Sequence, residues 1–118
     1  MSSLDSRRGD SQSELKHHVE RRGDAVKIIL EGEVDMRVAS GLRDVLHEII
    51  EENPATISVD LEKVPFIDSS GVATFVEALR LLMREEKTLR LENPSEAVRY
   101  TLKITQLLKV FGLEEETS

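Results

Sequence analysis

Four consecutive residues, Asp68-Ser69-Ser70-Gly71, bring a carboxylate, two hydroxyls and a glycine to the point where a β-type pattern gives way to a helical one. Two kinds of chemistry suit that position. Asp68 or Ser69 can cap the helix by accepting from its first N–H groups, which have no partner inside the helix. The same end offers unpaired donors and the positive end of the helix dipole to an anion, so a serine here is a candidate phosphoryl acceptor. A phosphoryl group would add about −1.5 to −2 charge beside Asp68 and alter any surface a partner reads. Hydrolytic chemistry fits poorly, because no Gly-x-Ser-x-Gly elbow surrounds Ser70 and no base is supplied nearby. The adjacent His17 and His18 would point to opposite faces of a strand and cannot share one metal ion. With His47 they read as surface residues, and neither a metal nor a cofactor is expected.

The elements that must position Ser70 follow from periodicity. Alternation at Leu15, His17 and Val19, the turn Arg22-Gly23-Asp24 and the shared face of Val26, Ile28 and Leu30 predict a β-hairpin ending at Gly32. Between Val38 and Glu51, the residues Leu42, Val45, Leu46, Ile49 and Ile50 form one helical stripe. Asn53-Pro54 ends it, since the residue before proline is driven out of the α region. Thr56 to Leu61 reads as a strand. Val72, Phe75, Val76, Leu79, Leu82 and Met83 then predict a helix from Ser70 to Glu86, followed by a strand over Thr88 to Leu91. A turn and N-cap at Asn93-Pro94-Ser95 lead to a helix over Ala97 to Ile104, and a last short helix is expected from Gln106 to Phe111, stopped by Gly112. The order β-β-α-β-α-β-α-α implies an α/β domain with amphipathic helices packed on a mixed sheet. Residues 1–13 read as a mobile polar tail, 14–113 as the single domain and 114–118 as an acidic tail.

Composition narrows what such a domain can do. The 118 residues carry 16 Lys and Arg against 23 Asp and Glu, a formal charge of −7 that opposes direct nucleic-acid binding. Only 3% of residues are aromatic, which leaves Leu, Ile and Val to build the core and little surface for stacking bases or flavins. Tyr100 is expected to be partly buried on the last helices. The absence of cysteine excludes disulfides and thiolate chemistry. With no signal-type apolar run and no membrane-length stretch, a cytoplasmic protein without membrane insertion is expected.

Asp60-Leu61 followed by Phe66-Ile67-Asp68-Ser69-Ser70-Gly71 resembles the signature of the STAS family, in which a strand runs through Asp-Ser-Ser/Thr-Gly into a helix. Gly32-Glu33-Val34-Asp35 resembles the family's Gly-Glu-hydrophobic-Asp motif after its second strand, and the likeness spans about Leu15 to Leu113. Bacterial anti-sigma-factor antagonists are the members it resembles. The resemblance implies a non-enzymatic STAS domain phosphorylated at the hydroxyl before the glycine, Ser70, with Ser69 the lesser candidate. It also implies a partner-binding surface that includes Asp35, Asp68, Ser69 and Gly71. The implied partners are an anti-sigma factor that is itself a serine kinase and a PP2C-type phosphatase that resets the switch. Where many antagonists continue Gly-Leu-Gly, this chain has Gly71-Val72-Ala73. The alternative implied by the same resemblance is a STAS subunit that is not phosphorylated, serving an Mla-type lipid transporter or a stressosome-like assembly.

Overall fold

A computed structural model describes residues 15–113. Strands β1 (Lys16–Arg22) and β2 (Ala25–Glu31) form the hairpin, then α1 (Ala39–Glu51), β3 (Thr56–Lys63), α2 (Ser69–Met83), β4 (Thr88–Glu92) and α3 (Glu96–Ile104) follow. The sheet order is β1-β2-β3-β4, antiparallel across the hairpin and parallel thereafter. A two-residue turn joins β1 to β2, with Gly23 at φ 61, a conformation that costs a glycine little. Parallel neighbours cannot be joined by so short a turn, so α1 and α2 serve as the crossovers.

Register explains the core. Val26, Ile57 and Leu89 stand side by side across three strands, as do Ile28, Val59 and Leu91 in the next row. All six are buried, together with Leu42, Leu46 and Ile49 of α1, Phe75, Leu79 and Leu82 of α2, and Val98 and Leu102 of α3, in one continuous cluster. The other sheet face is wet: Lys27 lies 4.0 Å from Asp60 and 3.8 Å from Glu92.

The predicted last helix does not form. Gln106 sits at φ 63, and the N–H of Leu107 returns to the Leu102 carbonyl at 2.8 Å, which closes α3. The chain from Leu107 to Leu113 instead makes turns along β4, where the Leu91 N–H donates to the Phe111 carbonyl at 3.1 Å. Only a few residues were available, too few for a helix to propagate, and Phe111 gains more by burying its ring edge-on to Phe75, 6.5 Å between centroids. The chain order is therefore β-β-α-β-α-β-α.

Four smaller differences accompany it. The second crossover helix ends at Met83, before the expected Glu86, because Glu86 takes φ 62 and the Lys87 N–H bonds the Leu82 carbonyl. Met83, assigned to the buried stripe, is 60% exposed at that terminus, and Tyr100, expected to be partly buried, is 64% exposed on α3. His47 is only half on the surface, with its Nε2 3.6 Å from Glu77 between α1 and α2. Both predicted tails lie outside the described residues.

Candidate functional site

The site is built where β2 and β3 run on past the sheet as paired loops. A register shift after Ile29 ends the regular ladder, but pairing resumes beyond it. The Gly32 N–H donates to the Lys63 carbonyl at 3.0 Å, the Val34 N–H to the Phe66 carbonyl at 2.9 Å and the Asp68 N–H to the Val34 carbonyl at 3.1 Å. Val34 and Ile67 form an isolated parallel bridge, and both are buried. The loop before α1 is thereby fixed to the loop before α2, which brings Asp35 alongside Asp68-Ser69-Ser70-Gly71.

Asp68 is the N-cap of α2. Its Oδ1 accepts from the N–H groups of Ser70 at 2.9 Å and Gly71 at 3.1 Å, while its Oδ2 accepts from the Met36 N–H of the other loop at 3.2 Å. One carboxylate thus caps a helix and ties two loops together. It also uses the donors that the sequence reading offered to a phosphoryl group: a phosphate on Ser70 would meet a carboxylate where free N–H groups were expected.

Gly71 is required by the same junction. A Cβ there would stand 2.6 Å from Val34 Cγ1, 2.7 Å from Ile67 Cγ1 and 2.9 Å from the Val34 carbonyl oxygen, so α2 can begin against the bridged loops only without a side chain. Ser69 is exposed and Ser70 half-buried at the first turn. The Ser70 carbonyl accepts from the Thr74 hydroxyl at 2.9 Å, while the Ser70 hydroxyl has no hydrogen-bond partner among the described residues.

Asp35 organises its own loop. Its Oδ1 accepts from the Arg37 N–H at 3.0 Å, and its Oδ2 takes the Arg37 guanidinium at 2.5 and 3.1 Å. The side-chain hydrogen bond from Arg37 holds the Asp35 carboxyl below the usual carboxylate range. Arg37 reaches Glu33 as well, at 3.5 Å, so the one cation of this loop is already shared by two carboxylates. Between and beside these groups two apolar side chains stand in water, Met36 at 69% and Phe66 at 44% exposure. Sequence reading missed both as surface features. Phe66 sits in an irregular stretch with no period to mark its face, and the signal that could have found Met36 is an apolar residue between the charged Asp35 and Arg37.

Comparison with known proteins decides what this junction belongs to. Residues 16–118 match the model of the STAS domain. The chain belongs to the STAS domain family. Within it, this STAS domain is 26% identical to the anti-sigma-B factor antagonist of Bacillus subtilis over 84% of the chain and 90% of the relative. It is 30% identical to the Staphylococcus aureus anti-sigma-B factor antagonist over 73% of the chain and 80% of the relative. Among solved structures it is similar to the anti-sigma factor antagonist SpoIIAA in its unphosphorylated form, with TM-score 0.72 and 28% identity over 80% of this chain and 84% of that one. The phosphorylated form of the Bacillus protein gives TM-score 0.66 at 27% identity, over 80% and 87% of the two chains. No helix among the described residues is long and apolar enough to cross a membrane.

Proposed function

We propose that this chain is an anti-sigma-factor antagonist that captures an anti-sigma factor while Ser70 is free and releases it when Ser70 is phosphorylated. The role is that of relatives covering most of both chains, one of them solved in phosphorylated and unphosphorylated forms. The observation that carries the reading is the hydroxyl of Ser70: it stands unpartnered in the first turn of α2, on a junction that two loops make rigid. Ser69 is the lesser acceptor. Asp35, Asp68, Ser69 and Gly71 shape the surface that the partner reads, and the kinase and the PP2C-type phosphatase are its two visitors.

Release follows from charge. A phosphoryl dianion on Ser70 would lie beside Asp68, whose carboxylate already occupies the Ser70 and Gly71 N–H groups, and Arg37 is engaged with Asp35 and Glu33. Little nearby can neutralise it, so a partner would have to desolvate it on docking. Incubation with the source organism's anti-sigma-factor kinase and ATP should label Ser70 on phosphosite mapping. Ser70→Ala should bind the kinase persistently and Ser70→Asp at least tenfold more weakly. Label confined to Ser69, or no label at all, would transfer the chain to the STAS subunits that work without phosphorylation in lipid transport or stressosome-like assemblies.

Among the described residues no group is hydrogen-bonded to the Ser70 hydroxyl to take its proton, which supports a binding role over a nucleophilic one. Purified protein should therefore show no ester or nucleotide hydrolysis that disappears in Ser70→Ala, and a robust activity lost in that variant would overturn the binding-only reading.

A further inference from the structure

Exposed apolar side chains are unremarkable one at a time, but Met36 and Phe66 are held together by the framework that presents Ser70. Phe66 lends its carbonyl to Val34, two residues before Met36, and Met36 gives its N–H to Asp68, two residues after Phe66. Their loops cannot separate without breaking the Val34–Ile67 bridge and the hydrogen bond from the Met36 N–H to Asp68. Two exposed apolar groups are thus preorganised on the loops that meet at the helix end carrying the serine pair. Preordered groups of this kind lose little freedom on docking, so more of their burial appears as affinity.

We propose that Met36 and Phe66 are the apolar anchors by which the anti-sigma-factor kinase grips this chain, an inference that rests on the function argued above. Continuity commits the patch to that occupant. A kinase that delivers a phosphoryl group to the Ser70 hydroxyl must cover the loops joined at that helix end, and Met36 and Phe66 are their large exposed apolar side chains. The two loops set the partner's chemistry: Glu33, Asp35 and Asp68 outnumber Arg37, so the fitting surface is an apolar pocket with a cationic edge. The anchors also explain how one modification releases the partner. A dianion on the helix end that these loops hold would have to be desolvated along with the anchors, which makes their burial unfavourable.

The test measures binding of the purified kinase to full-length protein, together with KM and kcat for phosphorylation of Ser70. Met36→Ala and Phe66→Ala should each weaken binding and raise KM by roughly tenfold, with kcat and melting close to the parent. Met36→Lys, which opposes the cationic edge, should be worse than Met36→Ala. Tyr100→Ala, an equally exposed position on α3, should change nothing. If the parent is bound and labelled while both alanine variants bind within about twofold of it, the anchors are wrong and the Ser70 switch stands. If the kinase neither binds nor labels the parent, the functional reading falls and the anchors fall with it.

Discussion

At position 71 the chain has no room for even one carbon atom. A methyl group there would press on Val34 and Ile67, both fully buried, and on a backbone oxygen that cannot swing aside because it accepts the Asp68 N–H. Overpacking of this kind costs about 1–3 kcal/mol, and here it would also push α2 away from the loop that carries Met36. Gly71→Ala should lower the urea midpoint accordingly; an unchanged midpoint would mean that the junction is looser than its distances. Asp68 belongs to the same calculation, because its three accepted hydrogen bonds make it a cap and a tether together. Its capping role and that of Ser95, which accepts from the Val98 N–H at 3.2 Å, were legible in the sequence, since cap chemistry is local. The tether to Met36 was not, because it depends on a loop 32 residues away.

Between α1 and α2 the wet edge is closed by Arg43, whose guanidinium meets the Glu77 carboxylate at 2.9 and 3.1 Å, with His47 alongside. The side-chain hydrogen bond from Arg43 holds the Glu77 carboxyl below its ordinary range, and Arg21 does the same to Glu52 at the end of α1. A carboxyl whose folded-state pKa is lowered adds stability that is present above the ordinary carboxylate range and disappears as pH falls through the lowered value. Glu77→Gln should therefore melt slightly below the parent at neutral pH, with the gap closing on acidification below that range and shrinking in high salt. A gap that persists in acid would assign the effect to packing. At this scale the helices and strands were readable wherever a stripe was long, as in Leu42 to Ile50. The end of α2 was misread because it was decided by one residue's backbone, Glu86, a left-handed position with no glycine to announce it. The last segment defeated periodicity for a different reason: Phe111 is fixed by its long-range contacts with Phe75 and Leu91, which local spacing does not encode.

For the molecule as a whole, one cluster of buried Leu, Ile, Val and Phe supports both the sheet and the junction, so damage to the core should reach the switch. Leu79→Asp would bury an unpaired charge and should unfold the domain, whereas Ser70→Asp, at a half-buried helix end, should melt near the parent while losing its partner. Equal melting of Leu79→Asp and the parent would overturn the packing described for α2. The sheet also has a temporal order. Its strands stand side by side in the sequence in which they are synthesised, and β4 is covered only when the Phe111 carbonyl reaches the Leu91 N–H. On the ribosome the sheet can thus be laid down strand by strand from the first hairpin, yet its growing margin remains open until residue 111 has emerged. A nascent chain paused before that point displays an unpaired β4 to any neighbouring polypeptide, which makes the closing turns of Leu107 to Leu113 the step that begins to cover that margin.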